Sequence, residues 1–215
     1  MKMKELEQRA FDFEVMAKET EKGNVIMGRP IVYNSRANLG LFDEIIESGA
    51  LTNTDLKDVR FLVNHDKTKI PLARSRRNNG NSTMTLTPDE NGLQIEVVLD
   101  TENNSEARAL YSAVKRGDIS GMSFMFGVSK GGDEWEGLNT DRPTRHIRSI
   151  STVVEVSAVT FPAYEATEIN ARSKEALENA RSALENARQQ SAKSVDTDSE
   201  LILLKEKTKI LSGGK

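Results

Sequence analysis

The sequence contains no cysteine. That removes thiol nucleophiles, disulfides and every cysteine-based metal site, and it suits a reducing compartment. Histidine is nearly absent as well: His65 and His146 are the only two, so any imidazole chemistry must use one or both. An excess of either charge is also missing. Thirty Lys and Arg against thirty-three Asp and Glu leave a formal net charge of −3, and bulk electrostatics therefore gives no reason to expect a nucleic acid or an anionic membrane as partner. No run of about 18 apolar residues marks a membrane span, and the opening MKMKELEQRAFDFEV is charged from the start, unlike a signal peptide. The expectation is a cytosolic protein.

What is present reads mainly as β-structure. FDFEVMA and NVIMGRPIVY alternate on either side of KETEKGN, which predicts two strands joined by a hairpin between Phe11 and Val32. A short helix is expected over Phe42 to Glu47, stopped by Gly49. A strand from Val59 to Asn64 follows, ending on His65, and MTLTPDENGLQIEVVLD reads as a second hairpin. The clearest helix is in TENNSEARALYSAVKRGDI, with a cap near Asn104 or Ser105, apolar residues at Ala107, Leu110, Tyr111 and Val114, and Gly117 as the stop. It leads into a strand over Met122 to Val128, and RHIRSISTVVEVSAVTF is a long β-rich stretch ended by Pro162. The segments read as antiparallel, so the expected class is α+β, mainly β, an antiparallel β-barrel or sandwich with a few helices outside.

The character changes after about Ala171. SKEALENARSALENARQQ holds the units ALENARS and ALENARQ, which align Leu177, Ala180, Leu184 and Ala187 on one helical stripe. Two heptads fall short of a coiled coil. The expected organisation is a main domain over residues 1–170 and a helical or linker tail over 171–215. QQSAKSVDTDSE reads as a linker and LILLKEKTKILSGGK as a terminal docking segment.

Three residues supply the parts of a serine hydrolase: a hydroxyl, an imidazole to take its proton, and a group that fixes the imidazole. They run in the order His65, Ser123, Glu155. Each has an ordinary reading beside this one. His65 could be a surface histidine, Ser120 or Ser123 a hydroxyl bonded to nearby backbone, and Glu155 an outward carboxylate on a half-exposed strand. Alternation in VVEVSAV puts Val153, Glu155 and Ser157 on one face. A metal set of His65, Asp66 and His146 can also be drawn, though HD alone is no ligand spacing. Linear order does not decide which groups meet.

Four stretches taken together, GRPIVYNSRANLGLFDEIIESGAL, FLVNHDKTKIPLARS, LYSAVKRGDISGMSFMFGV and RSISTVVEVSAVTFPAYEAT, resemble the prohead proteases of tailed bacteriophages over roughly Phe11 to Ala171. The fold of those capsid maturation serine proteases resembles the herpesvirus assemblin proteases. The resemblance implies an assemblin-like β-barrel, His65 of the NHD motif as base, Ser123 rather than Ser120 as nucleophile, and Glu155 as third member. His146 is the competing third member, because the assemblin enzymes use a second histidine. Gly121, Met122, Arg74 and Arg148 are candidates for the oxyanion hole. No cofactor or metal is implied. The implied substrates are the scaffold or delta segments of the major capsid protein and the protease itself, within an immature capsid in the host bacterial cytoplasm. A homodimer or higher oligomer is expected by viral analogy, and the tail becomes a targeting or self-cleaved segment. The alternative from another class is a noncatalytic scaffold or capsid assembly module of the same fold.

Overall fold

A computed structural model describes residues 6–11, 15–160, 178 and 180–192. In chain order the described strands are β1 (Glu7–Phe11), β2 (Val15–Thr20), β3 (Gly23–Val32), β4 (Arg36–Asn38), β5 (Asp43–Ile46), β6 (Arg60–Val63), β7 (Ala73–Arg74), β8 (Met84–Asp89), β9 (Gly92–Leu99), β10 (Gly121–Val128), β11 (Asp133–Glu136), β12 (Thr144–Ile147) and β13 (Ile150–Val159). They form three sheets, ordered β1-β10-β13-β6-β7, β11-β12-β5-β4 and β2-β3-β9-β8. Among the described residues the architecture is mainly β with two α-helices. No ring of pairings closes among the described residues, so the barrel expected from the sequence is replaced there by three open sheets. Nor is every pairing antiparallel: β13 runs parallel to β6, and β12 parallel to β5.

The local chemistry explains the elements. Both expected hairpins form, β2 with β3 and β8 with β9. The helix α1 (Ser105–Arg116) starts where the Asn104 side chain accepts hydrogen bonds from the amides of Glu106 and Ala107, and it stops at Gly117, whose φ of 80° only glycine adopts cheaply. Its apolar side, Ala107, Leu110 and Val114, is buried over β2 and β3. The expected helix at Phe42 to Glu47 is instead strand β5. A stretch this short cannot repay helix nucleation, whereas β4 and β12 satisfy its backbone from both sides. β1 was not anticipated at all, because its inward residues, Glu7 and Arg9, are charged. The main core draws on the sheets together, with Phe61, Phe124, Phe126, Ile26, Ile31 and Ile95 essentially inaccessible.

A second helix, α2, covers residues 180–192. Ala180 and Leu184, expected on the stripe, are buried in a small separate cluster with Phe42, flanked by Leu39, Trp135 and Leu138. Phe42 meets Trp135 edge-on at 4.8 Å. Arg188 donates to the carbonyls of Leu138 and Thr140 at 3.2 and 3.4 Å. The described part of the tail is thus docked on the β11-β12-β5-β4 sheet rather than solvated. Leu177, Pro162 and the terminal segment lie outside the described residues; of the expected linker, residues 189–192 continue α2 as exposed helix and the rest lies outside as well. Leu184→Ala is expected to cost about 2–3 kcal/mol of α2 docking. Limited proteolysis should then nick residues 180–192 faster while the sheets stay protected; an unchanged digestion rate would count against the docking.

Candidate active site

The site is assembled by neighbouring strands of one sheet. β13 sits between β10 and β6, with Ser123 opposite Ser157 on the β10 side and Leu62 opposite Ser157 on the β6 side. β10 and β13 pair with a register shift beyond Met125 and Glu155, where Val154 is skipped. Residues facing each other across an antiparallel pair share a face, as do alternate residues along a strand. Ser123, Glu155 and Ser157 therefore come to one side of the sheet.

His65 reaches that side through a turn just beyond β6. Asn64 and His65 both have positive φ, 52° and 58°, and the Asp66 amide bonds the Val63 carbonyl at 3.1 Å. Two left-handed central residues closed by that bond fit a type I′ turn. A left-handed histidine costs about 1–2 kcal/mol, and the surroundings hold it there. The Asn64 amide donates to Ala158 O at 2.9 Å, the Asn64 side chain exchanges bonds with Thr160 at 3.0 and 3.1 Å, and the His65 amide donates to Ser157 Oγ at 3.0 Å. The turn is stitched to β13 at several points.

The imidazole then bridges two groups. His65 Nε2 lies 2.5 Å from Ser123 Oγ, and Nδ1 lies 2.6 Å from Glu155 Oε2. A carboxylate only accepts, so the contact fixes the hydrogen on Nδ1 and turns the Nε2 lone pair toward Ser123. Glu155 is buried, not outward. Its other oxygen accepts the Ser157 hydroxyl. Ser157, not singled out from the sequence as a site residue, thereby holds both the carboxylate and the backbone of the imidazole. Its signal was the spacing of two from Glu155, which places both on one face.

The other candidates lie elsewhere. His146, on β12, is 2.6 Å from Glu47 Oε1 and does not stand beside His65. Asp66 accepts from the Thr68 amide and hydroxyl, so His65, Asp66 and His146 are not gathered into one set. Among the described residues no group of three or more His, Asp or Glu could hold a metal. Arg74 is half-buried and bound to Asp58 through two nitrogens, at 2.5 and 2.8 Å, and Arg148 is exposed and paired with Glu134. Gly121 and Met122 lie on β10 just before the serine.

Beside the site is a buried charge cluster that the sequence did not announce. Arg9 grips Glu44, with Nη2 to Oε2 at 2.7 Å, and also Glu7 at 2.7 Å. Arg145 bonds Glu7 at 2.6 and 2.9 Å, Glu44 at 3.1 Å and Asp133 at 2.8 Å. Burial works to raise the Glu7 carboxyl, but Arg9 and Arg145 outweigh it and hold the group below its ordinary 4.5. A carboxyl lowered by folding stabilises the fold above its unfolded value and loses that contribution as pH falls through its folded value. The urea midpoint is therefore expected to drop as pH is taken below about 4.5, and Glu7→Gln should flatten that drop. Equal slopes in the two proteins would show that Glu7 is not the linked group.

The caudovirus prohead serine protease family matches residues 11–182. The prohead protease of Enterobacteria phage HK97 is 29% identical over 147 residues, covering 67% of this chain and 58% of that protein; the chain thus spans under two thirds of that relative's length. The solved structure of the bacteriophage T4 capsid assembly protease, gp21, aligns over 71% of this chain and 98% of its own, at 12% identity and a TM-score of 0.35, too low for any argument. The family match covers most of the chain and takes in His65, Ser123 and Glu155: the chain belongs to the caudovirus prohead serine protease family.

Proposed function

We propose that the chain is a serine endopeptidase that matures a phage prohead by cutting scaffold or delta segments of the major capsid protein, and that it also cuts itself. The observation that carries this is the hydrogen-bonded line from Ser123 through His65 to Glu155. Ser123 Oγ attacks the peptide carbonyl while His65 Nε2 takes its proton. Glu155 steadies the imidazolium by a charge-assisted bond. His65 returns the proton to the leaving amine, and water clears the acyl-enzyme through the same base. Ser157 acts as a positioning residue for both partners. With Arg74 and Arg148 committed to surface carboxylates, this reading favours backbone amides of β10 near Gly121 and Met122 as donors to the oxyanion. The assemblin-like relationship, action inside the immature capsid in the bacterial cytoplasm, a homo-oligomer, and a division into a protease domain over 1–170 and a tail over 171–215 belong to the same reading.

The test is co-expression with the major capsid protein of the same phage. Wild type is expected to shorten the capsid protein in assembled proheads, and His65→Ala to leave it whole. Proheads that incorporate the wild-type chain and keep a full-length shell would instead support the noncatalytic scaffold.

A further inference from the structure

Ser123 is fully buried, although a nucleophile must meet its substrate. What stands at its open side is β1. This strand runs antiparallel to β10 with Ala10 opposite Ser123 and Arg9 opposite Phe124, and the Ser123 hydroxyl donates to the Arg9 carbonyl at 2.6 Å. A peptide added to a sheet edge in just this way is a recurrent mode of peptide recognition. Oγ carries one proton, and both Arg9 O and His65 Nε2 lie within reach of it.

The side chain of the residue so presented is also received. Arg9 points to the face opposite Ser123, its guanidinium 5.6 Å from the centre of the Phe126 ring, with Glu44 gripping it bidentately and Glu7 at 2.7 Å. Glu44 belongs to β5 and is itself buried. If β1 departs, Glu44 keeps, among the described residues, its 3.1 Å contact with Arg145, and an incoming arginine would restore the planar two-bond pairing that suits a guanidinium best.

We propose that β1 occupies the groove of a substrate, that the Arg9–Ala10 bond is one the enzyme cuts in itself, and that the groove selects extended peptides with arginine on the acyl side through Glu44. This rests on the serine protease reading above. In the step, Ser123 Oγ bonds to the Arg9 carbonyl carbon as its proton passes to His65. The C–N bond to Ala10 then breaks and His65 protonates the Ala10 nitrogen. Water hydrolyses the Arg9 ester, leaving a carboxylate on Arg9 and a free amino group on Ala10. Departure of residues 1–9 opens the groove to other chains.

The experiment follows the full-length chain by intact mass and N-terminal sequencing, alongside hydrolysis of the synthetic peptide ELEQRAFDFE and its counterpart with Glu in place of Arg. Wild type is expected to yield a chain beginning at Ala10, and Ser123→Ala to remain whole. The arginine peptide is expected to be cut after Arg about 10²-fold faster than its counterpart, and Glu44→Gln to erase most of that difference. Arg9→Glu should lose the self-cut yet hydrolyse added arginine peptide without a lag. The peptide pair, read on wild type, keeps the question answerable if a variant does not fold. If wild type shortens the capsid protein while Arg9–Ala10 stays intact in chain and peptide, this inference falls and the protease reading stands. Equal rates on the two peptides overturn the arginine pocket. Absence of Ser123-dependent hydrolysis of any substrate removes both.

Discussion

Ser123→Ala is expected to lower kcat by about 10⁵-fold or more while moving the melting temperature by only a few degrees. The activity loss follows from the chemistry: without Oγ there is no acyl-enzyme, and His65 and Glu155 have nothing to activate. Removing the serine of other triads costs on this order, leaving the residual rate that oxyanion stabilisation and binding supply. The stability effect is small because the hydroxyl has one proton, within reach of both His65 Nε2 and the Arg9 carbonyl, and so contributes one net hydrogen bond worth about 1 kcal/mol, and a chain of this length shifts by about 2–4 °C per kcal/mol. Rates measured on a protein or peptide substrate beside a thermal melt check both halves. A variant keeping more than about a hundredth of wild-type activity would mean that another group is the nucleophile.

Glu155→Gln is expected to lower kcat by about 10⁴-fold, with KM little changed. The amide can still accept the Ser157 hydroxyl, so packing around the buried side chain survives. What it cannot do is favour the imidazolium, and its NH₂ can donate to Nδ1. That moves the imidazole hydrogen to Nε2, where Ser123 needs an acceptor. The comparable change in another serine protease triad has an effect of this size for the same tautomeric reason. Glu155→Asp keeps the charge but shortens the reach across 2.6 Å, and it should recover part of the rate. Ser157→Ala should lose less than Glu155→Gln, since Ser157 acts only through its partners. The kinetic split matters here: a variant that raised KM at constant kcat would mark Glu155 as a binding residue.

The settings of Ser123 within GMSFMF, His65 at a strand end and Glu155 within VVEVSAV made them candidates beside ordinary readings, and only the family resemblance selected them. Their meeting was not legible, since it depends on β6 pairing in parallel with β13, a contact between segments far apart in sequence. The helix α1 was readable from its cap, stripe and stop. β5 was misread because FDEII satisfies helical and extended patterns equally over so few residues, and its parallel partner β12 lies about a hundred residues on. β1 was hidden for a different reason. Glu7 and Arg9 look like solvent-facing charges, and only Glu44 and Arg145, distant in sequence, make them interior residues. Arg74 and Arg148 were named as candidate oxyanion donors; the carboxylates that claim them, Asp58 and Glu134, were not anticipated.

Ser123, Glu155 and His65 hang respectively on β10, β13 and the turn leaving β6, neighbouring parts of one hydrogen-bonded sheet. None rides on a long independent loop that could melt first. Under the proposed function, activity and global cooperativity are therefore expected to be one event: on heating, the inactivation curve and the calorimetric transition should superimpose, and after cooling, recovered turnover should count refolded molecules one for one.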